Sequence, residues 1–319
     1  MLVSTAIGLD ATGALAAEKI EFQTYTPQDY AEILNGQYKK TSITIQGYLS
    51  KPKIDGKVPV VVIIPGSGGY KETMQKTLAQ PLNDAGIATF IIDSFTARGV
   101  NETGSNQGTV PMSASVMDGF QALNYLASRP DIDARHIGVT GFSRGGVVSM
   151  FTNEKRLQGA INPDGPLFAA HLPVYPGCST QWMDPQPGTA PMQFLMGEKD
   201  DLTPAYICTK YIDKLTSKGG KVTSIIYSGV HHNWFSDKAV ATNSTIQNYG
   251  RCDLKIEDSG QIKDMKSGAT TINGWSQFVN QVMQSCGFKG ATLGANLNAQ
   301  NESIKDMTKF FATTLKVEK

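Results

Sequence analysis

The sequence predicts an α/β protein built on a mostly parallel, doubly wound sheet with helices on both faces. Strand-like and helix-like segments alternate along most of the chain, which is the pattern of such a sheet. Residues 58–64 (VPVVVII) form a continuous apolar run rich in β-branched residues, as expected of a strand buried on both faces. The chain has 319 residues, of which 40% are hydrophobic and 18% charged, so it can bury a sizeable core.

The predicted strands are separated by helical patterns, and the second strand alternates with period two. Together, the first two strands suit the antiparallel start of a mixed sheet. The strands cover 20–24, 41–49, 58–64, 88–92, 136–140, 172–175, 192–196 and 222–227. Helices are predicted over 71–85 with a kink at Pro81, over 111–128, from Ser143 onward, over 203–218 with Thr203 as N-cap, and in a C-terminal amphipathic segment marked by Ile304, Met307, Phe311 and Leu315.

Residues 20–319 are expected to form a single domain, interrupted by a polar, Gly-rich insertion at about 236–300. Residues 1–19 form a separate segment. It is small and apolar, and Ala14-Leu15-Ala16 resembles a signal-peptidase site, although a basic start is missing and Asp10 interrupts the apolar stretch. A signal peptide predicts a periplasmic or secreted protein. The alternatives are a disordered tail and a cytoplasmic location.

Charge and hydropathy exclude two classes of partner. The net charge is +1, and Lys and Arg are scattered, so neither nucleic acid nor an anionic membrane surface is an expected partner. No apolar run approaches the roughly 20 residues that span a bilayer. The sequence does not indicate an oligomeric state.

The four cysteines are Cys178, Cys208, Cys252 and Cys286, an even number without C-x-x-C spacing. In a reducing cytosol they would be four buried thiols, whereas in an oxidising compartment they would form two disulfides. We expect Cys178 to pair with Cys208, because one follows a strand and the other lies on the helix after the neighbouring strand. Cys252 then pairs with Cys286.

The strongest motif for chemistry is GFSRGG at 141–146, directly after the strand at 136–140. G-x-S-x-G places serine on a strained turn between a strand and a helix, where the hydroxyl is exposed and the flanking glycines avoid a clash. The new helix directs its N-terminal N–H groups toward a developing oxyanion. Ser143 is therefore the predicted nucleophile. The alternative is an ordinary glycine turn.

A second glycine-rich loop, PGSGG at 65–69, follows the strand at 58–64. It occupies the place where the second oxyanion donor, a main-chain N–H, is expected. Ser67 N–H is the candidate, paired with Arg144 N–H. A flexible surface turn is the alternative, and a phosphate-binding loop is disfavoured because no G-K-[ST] follows.

The acid and base are expected after the last two strands. Asp200 lies in GEKDDLTP at 197–204, and His232 follows the strand at 222–227, which gives the chain order Ser, Asp, His. The carboxylate would fix the imidazole tautomer and stabilise the imidazolium. Asp201 and His231 are the neighbouring alternatives, with Asp201 expected to face solvent or to support the following helix.

The remaining histidines, His136 and His171, are interpreted as structural. A zinc site at His231 and His232 is disfavoured, because no acidic or cysteine partner has suitable spacing.

With these residues, the chain resembles the dienelactone hydrolase family of the α/β-hydrolase fold, in particular its exported bacterial branch. The resemblance covers most of the chain beyond residue 50. It rests on 65–69, Asp93-Ser94-Phe95 with Arg98-Gly99, 141–146, Tyr175-Pro176-Gly177-Cys178, 197–204 and the His232 loop. The namesake enzymes use cysteine where this chain has Ser143, a departure that favours an ordinary ester or lactone as substrate.

The resemblance also implies roles for individual residues. It implies acylation of Ser143 followed by hydrolysis with water, and neither a metal nor an organic cofactor. An arginine in a similar place receives the substrate carboxylate, which suggests this role for Arg98, with a loop-stabilising ion pair as the alternative. The family's histidine lies five residues after the strand's terminal tyrosine, here Tyr227, which favours His232 over His231.

The leading hypothesis is a hydrolase of small carboxylic esters or lactones. The alternatives are a peptidase of the prolyl-oligopeptidase type and a non-catalytic, hydrolase-like binding protein. A peptidase of that type usually carries a gating domain, for which this chain has no room. An intact set of Ser, His and Asp argues against the binding protein.

Overall fold

The computed structural model describes residues 17–316 and is organised around an eight-stranded sheet accompanied by two small sheets. The predicted signal-peptide segment lies almost entirely outside these residues. Residues 18 and 19, assigned above to that segment, instead begin the first strand. Within 17–316, no helix is both long and apolar enough to cross a bilayer.

The strands are β1 Glu18–Tyr25, β2 Ser42–Ser50, β3 Val58–Ile64, β4 Ala88–Asp93, β5 Ile132–Phe142, β6 Ala170–Val174, β7 Thr180–Trp182, β8 Met192–Gly197, β9 Val222–Tyr227, β10 Ala241–Asn248, β11 Leu254–Ile256, β12 Ile262–Asp264 and β13 Phe288–Leu293. The central sheet has the order β1-β2-β4-β3-β5-β6-β8-β9. The pairs β1–β2 and β2–β4 are antiparallel, and the pairs from β4 to β9 are parallel. The predicted mixed sheet with an antiparallel start is therefore confirmed.

Helices cover both faces of this sheet, as predicted. They are α1 Tyr30–Leu34, α2 Gln80–Asp84, α3 Met112–Ala127, α4 Arg144–Phe151, α5 Lys155–Ile161, α6 Ala205–Ser217, α7 Trp275–Ser285 and α8 Leu297–Thr314. The predicted kinked helix over 71–85 is instead a π-helical turn, Gln75–Ala79, followed by α2. Pro81 lies in the first turn of α2, where its missing N–H is tolerated.

Strand β3 shows how the sheet is buried. Val60, Val62 and Ile64 face a core that includes α3, α4 and α6, whereas Val61 and Ile63 face a second core formed with α2 and α8. Because side chains alternate along a strand, an uninterrupted apolar run is what two buried faces require.

The C-terminal helix α8 packs on the second core through Met307, Phe311 and Leu315, as the apolar spacing predicts. Ile304 is only half-buried, and Ser303 takes the next place on the i, i+4 stripe. Ser303 is fully buried because its hydroxyl accepts a hydrogen bond from Trp234 Nε1 at 3.0 Å. The polar partner explains why a serine is stable there.

The segment at 236–300 is an ordered structure rather than a Gly-rich loop. It contains β10 to β13 and α7, and its last residues already belong to α8. β10 pairs with β13, and β11 lies between β12 and β7 in the three-stranded sheet. Its strands were missed because β11 and β12 have only three residues each, and β10 and β13 (ATNSTIQN and FKGATL) lack a run of apolar residues.

Two disulfides join Cys178 to Cys208 and Cys252 to Cys286, which confirms the predicted pairing. The first disulfide links the loop between β6 and β7 to α6. The second links the loop just before β11 to the end of α7. Disulfides of this kind persist in oxidising compartments.

We predict that each disulfide contributes about 3–4 kcal/mol to the free energy of unfolding, since the closed loops span 30 and 34 residues. Replacing each pair by serines should lower the unfolding midpoint in urea, and non-reducing peptide mapping should recover both pairs from wild type. Four free thiols in protein made in an oxidising compartment would contradict the assignment.

His171 is buried on β6 and is neutral. Its Nδ1 lies 2.8 Å from the carbonyl oxygen of Ser149 and donates to it, while Nε2 has no partner among the described residues. Burial lowers the pKa of His171 to about 4. The imidazole therefore has a structural position, as the sequence suggested.

This burial predicts a loss of stability in acid. The unfolded chain binds a proton near pH 6.5 and the folded chain only near pH 4, so stability is complete above about pH 6.5 and falls as the pH drops toward 4. The full loss in the free energy of unfolding, reached below pH 4, is about 3 kcal/mol. In His171→Asn, which keeps a donor for Ser149, urea unfolding between pH 7 and 4.5 should show a smaller loss than wild type. Equal losses would contradict the prediction.

Candidate active site

Ser143 lies at the turn between β5 and α4. Its backbone has φ 54° and ψ −112°, a conformation that non-glycine residues rarely adopt, and its N–H donates to the carbonyl oxygen of Val174 at 2.9 Å. Strained residues of this kind are maintained only where the surrounding packing fixes them. The turn presents the Ser143 side chain at the carboxyl edge of the parallel sheet.

Close packing around this turn leaves no room for side chains at several glycines, of which Gly145 and Gly66 bring neighbouring backbone to Ser143. A Cβ on Gly145 would overlap the carbonyl of Ile64, so α4 begins directly against the end of β3. A Cβ on Gly66 would lie 2.9 Å from the carbonyl oxygen of Phe142 and 3.4 Å from Ser143 Cβ. The loop at 65–69 therefore approaches Ser143 as closely as a backbone can.

His232 links Ser143 to Asp200. Its Nε2 lies 3.0 Å from Ser143 Oγ, and its Nδ1 lies 2.7 Å from Asp200 Oδ2. A carboxylate only accepts, so Nδ1 carries the proton and Nε2 can accept from the serine hydroxyl. The imidazole and the carboxylate are both buried, with side-chain exposures of 4% and 0%.

The neighbouring alternatives lie elsewhere. Asp201 is exposed, and its Oδ1 accepts from the N–H of Thr292 on β13 at 2.8 Å. His231 makes no side-chain bond to Ser143 or Asp200 in the described part of the chain, and its Nδ1 has no partner there. The structure therefore brings Ser143, Asp200 and His232 together and leaves out both adjacent residues.

Thr203 supports the carboxylate, a role that the sequence did not reveal. It was predicted as the N-cap of the following helix, but α6 begins one residue later and Pro204 occupies the cap position. The Thr203 hydroxyl donates to Asp200 Oδ2 at 2.8 Å, and the N–H groups of Leu202 and Thr203 donate to Oδ1 at 3.0 and 2.8 Å. Asp200 consequently binds these donors and His232, and its orientation is fixed.

Aromatic packing also supports the His232 imidazole. The ring of Tyr175 lies 4.7 Å from that of His232 and 4.5 Å from that of Trp234, which packs against it edge-on. Burial raises the pKa of Tyr175 well above its ordinary value, so the phenol stays neutral. The aromatic two residues after His232 was part of the sequence pattern, but the contribution of Tyr175 was missed.

Ser67 and Arg144 line the same cavity as Ser143. The Arg144 side chain is buried and donates to Ser115 Oγ, Gln107 Oε1 and the carbonyl oxygens of Val110 and Pro111, all neutral acceptors. Burial lowers the pKa of Arg144 to about 10, which still leaves the guanidinium charged at neutral pH.

The cavity beside Ser143 has a volume of about 110 Å³ and is mostly apolar. One wall comes from the segment at 236–300. This wall consists of Ile246, Gln247, Tyr249, Leu254, Ile262, Trp275, Phe278, Val279 and Val282. The inserted segment therefore covers part of the site and would contact a bound molecule.

Arg98 does not line this cavity. Its guanidinium pairs with both oxygens of Asp118 at 2.8 and 2.9 Å and donates to Thr26 and to the carbonyl oxygens of Ser94 and Tyr25. All five donors are used, and the Arg98 and Asp118 side chains are 6% and 0% exposed. The proposed contact with a substrate carboxylate is therefore not supported, and the ion-pair alternative describes this arginine.

The fold and the arrangement around Ser143 define an α/β-hydrolase. The model of the dienelactone hydrolase family matches residues 45–253, more than half of the chain, and the chain belongs to this family. It is thus a hydrolase of the esterase type.

Comparison with individual proteins agrees with this assignment. Protein usf of Aquifex pyrophilus is 24% identical over 210 residues, 63% of this chain and 87% of its own length. Acetyl esterase Axe7A of Xylanibacter ruminicola is 29% identical over 134 residues, 34% of this chain and only 29% of the relative. A dienelactone hydrolase-like promiscuous phosphotriesterase from metagenomic libraries superposes with a TM-score of 0.54 at 14% identity, covering 94% of this chain and 99% of that one. Esterase Est22 gives 0.51 at 16% identity, with coverages of 70% and 75%. At such identities, the structural likeness shows the fold alone.

The ion pair of Arg98 makes a prediction about stability rather than substrate binding. Arg98→Ala would leave the buried Asp118 carboxylate without its cation, and unfolding in urea should show a loss of about 3–5 kcal/mol. The paired change Arg98→Met with Asp118→Leu should lose less, because no buried charge remains. KM for acidic and neutral esters should change equally, and a selective rise for acidic esters would restore the substrate-binding role.

Proposed function

We propose that this chain is a serine hydrolase that cleaves a carboxylic ester or lactone through an acyl-enzyme intermediate. The observation that carries the proposal is the continuous hydrogen-bonded series from Ser143 Oγ through His232 to Asp200, with distances of 3.0 and 2.7 Å, at the edge of a cavity. Nucleophile and base within hydrogen-bond reach, with the base oriented by a third group, are the requirements for an activated serine.

In the proposed reaction, Ser143 Oγ attacks the carbonyl carbon while His232 Nε2 takes its proton. The tetrahedral intermediate then collapses, and His232 returns the proton to the leaving alcohol oxygen as the C–O bond breaks. Water, deprotonated by the same imidazole, attacks the acyl carbon. His232 then returns the proton to Ser143 Oγ as the bond between the acyl carbon and Oγ breaks, which releases the acid and free Ser143. Asp200 stabilises the imidazolium in both halves of the reaction and does not itself take the proton.

The negative charge on the carbonyl oxygen requires donors. We assign this role to the main-chain N–H groups of Ser67 and Arg144, which follow β3 and Ser143 respectively. The closeness of the 65–69 loop to Ser143, and the location of Arg144 in the first turn of α4, support this assignment.

The cavity favours a compact, mostly apolar ester. Its size is of the order of the engineered 150 Å³ apolar cavity that binds benzene, and the wall at 236–300 leaves little room for an extended peptide. Acetyl esterase Axe7A, a partial relative, is named for a small acyl group, in agreement with this size. The two disulfides support a periplasmic or secreted location.

The proposal predicts that Ser143→Ala and His232→Ala abolish turnover of p-nitrophenyl acetate, with losses of up to about 10⁶-fold in kcat. Ser143→Ala should also abolish labelling by a fluorophosphonate, because the covalent bond forms at Oγ. The unfolding temperature of Ser143→Ala should change little. Residual activity above a tenth of wild type, in protein free of contaminating esterase, would refute the assignment.

His231→Ala is the matched control, since this imidazole is adjacent in sequence but bonds to neither Ser143 nor Asp200. Its kcat should fall by less than about tenfold, because the loop around His232 is kept. If His231→Ala lost its activity while His232→Ala kept a near-wild-type kcat, the roles of the two residues would be reversed.

A further inference from the structure

Gln107 connects the two loops that carry the proposed oxyanion donors. Its side-chain Nε2 donates to Ser67 Oγ at 2.9 Å, and its Oε1 accepts from Arg144 Nη1 at 3.1 Å. The amide thus spans from the loop after β3 to the residue after the nucleophile. Ser67 and Arg144 are 40 and 37 residues away from Gln107 in the sequence, so neither bond is a local turn.

The main chain of Gln107 is held by the inserted segment. Its N–H donates to Gln247 Oε1 at 2.7 Å, and its carbonyl oxygen accepts from Trp275 Nε1 at 2.7 Å. Gln247 Oε1 also accepts from the hydroxyl of Tyr249 at 2.9 Å. One residue is therefore fixed by β10 and α7 at its backbone and reaches both oxyanion loops with its side chain.

The chemistry of the side chain suits this position. An amide can donate to Ser67 and accept from Arg144 at the same time, while remaining neutral. A carboxylate here would place a negative charge beside the developing oxyanion and oppose its stabilisation. Every acceptor of the Arg144 guanidinium is neutral, so the present hydrogen bonds add no negative charge at this position.

We propose that Gln107 is a positioning residue, which sets the separation of the Ser67 and Arg144 main-chain donors and couples them to the inserted segment. The proposal rests on the proposed esterase function. It assigns Gln107 an effect on the transition state, where the donors act, rather than on ground-state binding of the substrate.

The test is Gln107→Met, which keeps the side-chain length and both main-chain bonds but removes the two side-chain hydrogen bonds. We expect kcat to fall about 10- to 100-fold, less than the 10²–10³-fold reported for complete loss of an oxyanion donor, with KM changed less than threefold. The loss should be the same for p-nitrophenyl acetate, butyrate and hexanoate. Gln193→Met, near the start of β8 and outside the cavity lining, is the matched control and should keep wild-type kcat.

Ser67→Ala provides a second variant that breaks the same bond from its other end. Its kcat should fall by a similar factor, and the double variant should be no slower than Gln107→Met by more than about threefold, because coupled residues are not additive. All rates are measured well below the unfolding temperature of each variant. This arm also tests the proposal if Gln107→Met proves unstable.

Several outcomes would overturn the inference. They are a wild-type kcat in Gln107→Met, a loss confined to KM, a loss that depends on acyl length, or losses that multiply in the double variant. Failure of the proposed function is recognised separately. In that case, wild-type protein would neither hydrolyse the esters nor label with a fluorophosphonate at Ser143.

Discussion

The close contact between the start of α4 and the end of β3 is the constraint on which the site depends. β3 and β5 are parallel neighbours in register, with Ile64 opposite Gly141, so both strands end at the same edge. Gly145 has no side chain to separate the helix from the Ile64 carbonyl, and Gly66 allows the next loop to lie against Ser143. The nucleophile and the loop proposed to stabilise its oxyanion are therefore positioned by backbone packing, which does not relax as side chains do.

The same parallel geometry brings the other two residues to Ser143. β8 and β9 are paired with Gly197 opposite Tyr227, so Asp200 and His232 leave the sheet from adjacent strand ends. Ligand and catalytic sites of open parallel sheets collect at this edge, because the loops there converge from strands that are far apart in sequence. Thr203 and Tyr175 then fix the two side chains, one by hydrogen bonding and the other by ring contact.

The sequence was informative where the cause of a structure is local. An apolar run identified β3, and a glycine motif identified the turn at Ser143. The segments after the last two strands pointed to Asp200 and to a histidine pair, of which the family resemblance favoured His232. It was less informative where the cause lies in a distant partner. Nothing local shows that Ser303 is buried through Trp234 in place of Ile304. Arg98 likewise forms its ion pair with Asp118, which is buried on α3 and lies 20 residues further along the chain, so the sequence around Arg98 does not reveal this partner. Thr203 is a different case, because Asp200 lies only three residues before it and the motif allows two local roles, capping α6 or bonding the carboxylate.

The inserted segment begins just after His232, at the edge of the sheet where the site lies. This location explains why the segment contributes both to the cavity and to the support of His232. Its residues between 246 and 282 form a wall of the cavity, and its last residues bond to the loop that carries His232. The N–H of Gly294 donates to the carbonyl oxygen of His232 at 3.0 Å, and that of Asn296 to Trp234 at 3.3 Å. Since β10 and β13 pair at this base, a lid motion there would break the main-chain bonds to His232 and Trp234. The base of the insertion is thus part of the framework that holds His232. The contacts of Gln247 and Trp275 with Gln107 extend that framework to Gln107, which also lines the cavity.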